Sequence, residues 1–241
     1  MKGIILAGGK ATRLRPCTKV TSKGMLPIYD RPMIYYPLNT LLKAGITEIL
    51  IIVGPEHAGH YLNLLGSGKE INARLSYEIQ TEARGIADAF IIGEQFVGTD
   101  NVVMILGDNI FVDDFSSDIK SFTKGAKIFA KVVPDPERFG VVEIDANGKA
   151  LSIEEKPAQP KSNFCVTGLY VYDNRVLDIA KNIKPSARGE LEISDINNWY
   201  LAQGELEVAM VNNEWIDAGT FDSLLEAQKI AKDKLKPKMI I

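Results

Sequence analysis

The sequence is poor in the residues that mark several protein classes. Cysteine occurs twice in 241 residues, as Cys17 and Cys165. Two cysteines cannot build a disulfide framework, so a stapled secreted scaffold is excluded and reduced thiols in the cytoplasm are expected. Histidine also occurs twice, at His57 and His60. They stand three residues apart with no third ligand nearby, so metal binding by them is not expected. No apolar run approaches the ~18 residues of a membrane span. The apolar start at 3–9 runs into Lys10, Arg13 and Arg15 with no cleavage-like end, unlike a signal peptide. Basic residues show no surplus: 28 Lys and Arg against 31 Asp and Glu give a net charge of −3. With a pI near 5.6, nucleic acid is not an expected partner. Small anionic ligands stay open, because a few placed cations suffice for those. Repeats, low-complexity blocks and linkers are absent too. What remains is an ordinary globular composition, 46% hydrophobic and 24% charged.

Short apolar runs alternate with amphipathic segments. The runs at 4–7, 49–53 and 102–106 are continuous and rich in β-branched residues, which suits strands covered on both faces. Segments at 33–44, 57–65 and 86–96 have helical patterns. Strand and helix in repetition predict a parallel sheet with right-handed crossovers. The second half differs. Strands are expected at 127–133, 140–144, 151–155 and 166–172, with a hairpin signal at Ala146-Asn147-Gly148. Helices are expected at 176–182, 193–203 and 221–235, a strand at 205–211, and a basic solvated end at 232–238. One α/β domain with an antiparallel excursion is the simplest account.

The first strand ends in Gly8-Gly9-Lys10-Ala11-Thr12-Arg13-Leu14-Arg15-Pro16, and Lys23 follows. Paired glycines at a strand's carboxyl end let backbone N–H groups approach a phosphate, and ligands of open α/β sheets bind at such ends. A dinucleotide fingerprint fails because the third glycine is missing, and a P-loop fails as well. That removes a Rossmann oxidoreductase. Read alone, the loop could still be an ordinary turn with solvated cations.

The longer strings say more. Leu6-Ala-Gly-Gly-x-x-Thr-Arg-Leu-x-Pro16 followed by Lys23-x-x-Leu26-Pro27 resembles the signature of the sugar-1-phosphate nucleotidyltransferases. The segments at 27–37, 106–111, 154–157, 166–170 and 186–193 resemble the glucose-1-phosphate thymidylyltransferase branch, in the branch's order, across essentially the whole chain. The resemblance implies one Rossmann-like nucleotidyltransferase domain over 1–241, with a mainly parallel central sheet and a smaller antiparallel sugar-binding excursion. A nucleotide-binding half would cover about 1–112 and a sugar-phosphate-binding half about 113–241.

The implied reaction joins dTTP to glucose 1-phosphate and releases pyrophosphate, with Mg²⁺ as cofactor. The same chemistry with UTP or another hexose 1-phosphate is the alternative. A catalytically silent nucleotide-binding subunit is a remoter one, and it predicts losses among the charged site residues, all of which are present. By resemblance, Arg13, Lys23, Asp108 and Lys156 are catalytic. Leu6, Gly8, Gly9, Thr12, Arg13, Lys23, Gln80, Gly85 and Asp108 would bind the nucleotide, with Gln80 and Gly85 on the pyrimidine. Asn109, Gly140, Glu155, Lys156 and Val166 would bind the sugar phosphate. Asp108 and Asp217 would hold the metal; both follow apolar runs, where strand-end carboxylates meet ligands. Arginine suits the first role because its fork matches oxyanion geometry. A homo-oligomer is also implied.

Three departures from the pattern matter. Ala11 stands where the family most often has Gly, so the loop is expected to take an alanine-compatible shape. Phe139 stands where a Tyr is usual. The chain stops soon after the 221–235 helix, whereas longer relatives carry further helices at an allosteric site, so end-product feedback of that kind is not expected.

Overall fold

The computed structural model describes residues 1–235, 239 and 241. The continuous apolar runs form strands with two covered faces. In β1 (Lys2–Ala7), Ile4 joins one core cluster and Ile5 the other. A two-residue ladder of β2 (Pro27–Ile28) and β3 (Arg31–Pro32) precedes helix α1 (Tyr35–Lys43). In β4 (Glu48–Val53), Leu50 and Ile52 face one cluster while Ile49, Ile51 and Val53 face the other. Then come α2 (Ala58–Leu65), β5 (Arg74–Ile79), α3 (Asp88–Ile92), α4 (Glu94–Val97) and β6 (Val102–Leu106). Alternation would have left one face wet; continuity buries both.

The second half adds β7 (Asn109–Phe111), α5 (Ser116–Ser121), β8 (Ala126–Val132), β9 (Gly140–Ile144), β10 (Ala150–Glu155) and β11 (Phe164–Tyr172). It ends with α6 (Val176–Asn182), α7 (Ile193–Ala202), β12 (Leu206–Met210), β13 (Trp215–Asp217) and α8 (Phe221–Ile230). The main sheet runs β10-β9-β11-β6-β1-β4-β5, with β8 beside β11 and β12 beside β8. Its parallel body is β6-β1-β4-β5, registered by Leu6 opposite Leu106 and Ile52. The antiparallel excursion enters where β11 pairs with β6. Helices α3, α6 and α7 cover one face, and α1, α2 and α5 the other. Among the described residues no helix is long and apolar enough to cross a membrane.

Three sequence expectations change in detail. The helical pattern over 86–96 is two short helices that break at Gly93. A Cβ there would meet the Ala89 carbonyl oxygen and Ile4 Cδ1 at 2.9 Å each, so only glycine lets this segment lie against β1. The 221–235 helix is α8 followed by a π-turn, Ala231–Leu235. Its start is fixed by a capping box: the Thr220 side chain accepts from the Ser223 N–H at 3.2 Å, and Thr220 N donates back to Ser223 Oγ at 3.0 Å. The basic end expected at 232–238 lies partly outside the described residues.

The β7/β13 ladder is the feature that matters most for the site. It pairs Asp217 with Asn109, and Ala218 N donates to the Asp108 carbonyl at 2.9 Å. Two carboxylates 109 positions apart are thereby brought to one place. A third core cluster, which includes Ile110, Ile216 and Ala227, anchors α8 behind this ladder.

Candidate active site

Carboxyl ends of strands converge on one side of the sheet. β1 delivers Gly8 and Gly9, β5 delivers Gln80, β6 delivers Asp108, β10 delivers Glu155 and Lys156, and β13 ends in Asp217. These ends open into two cavities that share Ile86 and Leu106 in their walls. The first is lined by Leu6, Gly9, Lys23, Gln80, Gly85 and Asp108. The second is lined by Arg13, Asn109, Gly140, Glu155, Lys156, Val166 and Asp217. Gly8 lines a third, neighbouring cavity with Gly9, Lys23 and Gln80. Of the residues expected from sequence, only Thr12 lines none of these three. It starts a 3-10 turn, Thr12–Leu14, and is exposed.

The electrostatics separate the two carboxylates. Asp108 pairs with Lys23 and accepts from Asn109 Nδ2 at 3.1 Å. Burial alone would raise its pKa, but the charge of Lys23 holds it below the usual carboxylate range. Among the described residues Asp217 forms no such ion pair, and Lys23 and Arg13 act on it only from farther off. Burial and the nearby negative Asp108 push it up to about 6. Among the described residues, Asp217 Oδ1 is the one buried side-chain polar atom without a hydrogen-bond partner. A buried, unpartnered carboxylate oxygen beside a second carboxylate fits a divalent cation that takes hard oxygen ligands. No cluster of three or more His, Cys, Asp or Glu suited to a metal occurs among the described residues. Asp108 and Asp217 would therefore share such an ion with oxygens from the ligand and water.

The cations of the second cavity are arranged differently. Arg13 and Lys156 are exposed and have no protein counter-ion among the described residues. Lys156 sits in the left-handed region, φ 44°, just past the end of β10. Glu155 is held by Ser194 Oγ and by Arg188 Nη2 at 3.4 Å. Arg188 is itself clamped by Glu192, at 2.8 Å. Free cations beside a fixed carboxylate suit a ligand that carries a phosphate at one end and hydroxyls at the other.

Sequence reasoning missed several supports. Asn109 is a hub: its Oδ1 accepts from Gly168 N at 2.9 Å and from Trp215 Nε1 at 2.7 Å. Gly168 must lack a side chain, since a Cβ would lie 2.6 Å from Asn109 Oδ1. Gly219 leaves room for Arg13 and Asp217, and Asp88 holds the Gln80 amide. Gly168, Arg188 and Glu192 fall inside strings that carried the family resemblance, but nothing local announces their partners. Two departures also resolve. Ala11 does not adopt an alanine-friendly shape: it is left-handed, φ 46° and ψ 43°. Its carbonyl is tied down by Thr18 Oγ1 at 2.8 Å and Leu14 N at 3.1 Å, which offsets the strain. Phe139 lines the second cavity and packs edge-on against Trp215, with ring centroids 5.4 Å apart.

A sequence model of the nucleotidyl transferase family matches residues 2–234. The chain belongs to that family. This nucleotidyl transferase is 55% identical over 233 residues to the glucose-1-phosphate thymidylyltransferase of Neisseria gonorrhoeae, covering 94% of this chain and 81% of that one. It is 50% identical over 232 residues to the Mycobacterium tuberculosis H37Rv protein of the same name, with the same coverage. A Bacillus anthracis chain described as a glucose-1-phosphate thymidylyltransferase and crystallised with sucrose superposes with a TM-score of 0.92 at 51% identity, covering 97% of this chain and 96% of that one. A UDP-glucose pyrophosphorylase in complex with UDP-glucose shares the fold of this nucleotidyl transferase at TM-score 0.84 and 24% identity.

Proposed function

We propose that the chain transfers a thymidylyl group from dTTP to glucose 1-phosphate, giving dTDP-glucose and pyrophosphate. The observation that carries this is the meeting of the two cavities at Ile86 and Leu106, with Asp108 on one side and Asp217 on the other. A nucleotide in the first cavity would place its α-phosphate at that junction. A sugar phosphate in the second would approach it from the Lys156 side. The halves at about 1–112 and 113–241 then serve nucleotide and sugar phosphate. The names of the close relatives support dTTP and glucose 1-phosphate as the pair.

In this reading a phosphate oxygen of glucose 1-phosphate attacks the α-phosphorus. The new P–O bond forms as the α–β anhydride bond breaks, and its electron pair leaves with pyrophosphate. A phosphomonoester's second pKa is ~6, so the nucleophile is already ionised and no protein base is needed. The residues act by alignment and charge. The Gly8–Gly9 backbone and Lys23 hold the β- and γ-phosphates. Gln80 and Gly85 receive the pyrimidine. Arg13 opposes charge growing on the α-phosphate and the leaving group. Lys156 takes the sugar phosphate, while Glu155, Asn109, Gly140 and Val166 position the sugar. Asp108 and Asp217 would hold Mg²⁺, which supplies neutralisation of phosphate charge when bound. The same reading carries a cytoplasmic homo-oligomer, and light scattering checks it against 26.5 kDa for one chain.

The test is pyrophosphate release with Mg²⁺, crossing dTTP, UTP, ATP, GTP and CTP with glucose, galactose and mannose 1-phosphates. Fastest release with dTTP and glucose 1-phosphate, lost on adding EDTA, is expected. A maximum at another pair moves the substrate, and no release with any pair refutes the enzyme.

A further inference from the structure

We infer that Asp88, braced by Arg84, is a positioning residue that sets which face of the Gln80 amide meets the base. The inference rests on the reading of the first cavity as the pyrimidine site. Asp88 is 1% exposed and Gln80 5%. Gln80 Nε2 donates to Asp88 Oδ2 at 3.0 Å, and Arg84 Nη2 donates to the other carboxylate oxygen at 2.6 Å. The loop carrying Arg84 is itself pinned, since Leu191 N donates to the Arg84 carbonyl at 2.6 Å and Ala87 N to the Leu191 carbonyl at 3.2 Å.

A carboxylate only accepts hydrogen bonds, whereas a glutamine amide has a donor end and an acceptor end. Rotating the amide by half a turn would press Oε1 against Asp88, acceptor on acceptor. The carboxylate therefore fixes the orientation that a free glutamine leaves open. Oε1 is turned to the Gly8 side, where a Cβ on Gly8 would lie only 2.7 Å from it. Among the described residues no protein donor reaches Oε1. An acceptor with no protein donor, on a residue that lines the cavity, is open to a donor from the ligand.

Thymine and uracil carry N3–H, a donor. Cytosine N3 is an acceptor and would face Oε1 without a proton between them. The Arg84–Asp88–Gln80 chain thus selects keto pyrimidines over cytosine, and does so without Asp88 touching the base. It gives no preference between thymine and uracil, which share N3–H.

The experiment compares kcat/KM for dTTP, dUTP and dCTP in the wild type, Asp88→Asn and Arg84→Gln, with dissociation constants for the same three nucleotides from calorimetry. Asparagine matches aspartate in shape but can turn its own amide, so both Gln80 orientations become possible. In Asp88→Asn the dTTP-to-dCTP preference should fall about tenfold, the scale of one mispaired buried hydrogen bond. The dTTP-to-dUTP ratio should hold within about twofold. Arg84→Gln, on a side chain that is half exposed, should move the same ratio in the same direction by less, with a thermal melt on the same preparation to show that the variant is folded. Equal losses for all three nucleotides would show a merely structural role and overturn the inference, as would an unchanged dTTP-to-dCTP ratio. If the wild type turns over no hexose 1-phosphate, the proposed function fails, and the binding constants alone decide the role of Asp88. A wild type that prefers purine nucleotides overturns both.

Discussion

Gly219→Ala is a one-carbon change that should separate activity from stability. The added Cβ would lie 2.6 Å from Arg13 Nη2 and 2.7 Å from Asp217 Oδ1. Ordinary contacts of this kind begin near 3.4 Å, so something must yield by roughly 1 Å. Gly219 has no left-handed backbone to strain, and it follows Ala218, which is held to the Asp108 carbonyl. The Arg13 guanidinium has no protein counter-ion among the described residues and is the easiest part to displace. The fold therefore loses little, and the melting temperature should shift by less than about 2 °C. Catalysis is less tolerant: misplacing a charge-stabilising group by ~1 Å costs about a hundredfold, or ~2.7 kcal/mol of transition-state stabilisation. Pyrophosphate release under saturating substrates measures kcat, and a thermal melt on the same preparation measures stability. The expected pair is kcat down about a hundredfold with an unchanged melt. Full activity in the variant would refute the placement of Arg13 at the reacting phosphate. Loss of both activity and fold would refute the argument that the site yields before the core does.

Lys156→Met should raise KM for the sugar phosphate by about 10- to 100-fold, the range for a lost charge-assisted hydrogen bond, with KM for dTTP little changed in steady-state assays. Ala11→Gly should raise the melting temperature by about 2 °C, because relief of the left-handed alanine exceeds the added freedom of the unfolded chain; a lower melt would show the strain is not there. Asp173→Asn probes acid stability. Asp173 accepts from Gly125 N at 2.8 Å, Tyr200 Oη at 2.8 Å and Arg175 Nη2 at 2.6 Å. Burial opposes its ionisation, but the Arg175 hydrogen bonds win and lower its pKa. A lowered folded-state pKa contributes stability fully above the unfolded value near ~4, and that is lost as pH falls through the folded value. Wild type and variant should therefore differ in chemical denaturation at pH 7 and converge below about pH 4; a constant gap would refute the ionic account.

Much of this protein was legible along the chain. Continuous apolar runs such as Ile49–Val53 predicted strands buried on both faces, because that pattern leaves no wet side. The glycine pair, Asp108, Glu155 and Lys156 stand in local strings, so their place at strand ends followed from the order of elements, while Arg13 and Lys23 lie in 3-10 turns of the loop after β1. The single helix expected over 86–96 divides at Gly93, where a side chain would meet Ile4 of β1, a constraint from another element that periodicity cannot register. The left-handed Ala11 is hidden in the sequence for a similar reason. Its strain is sustained by a hydrogen bond from Thr18, seven residues on.

Sequence by itself determined which side chains are available and at which strand end each emerges, since both follow from short-range pattern. Tertiary structure alone decided how they act together. The β7/β13 ladder sets Asp217 beside Asp108, and burial then drives their ionisation apart. Asn109, Gly168 and Trp215 meet only when β7, β11 and β13 are packed. Hydrogen-bond partners, excluded volume and burial depend on distances in space, and the distance along a chain does not encode them.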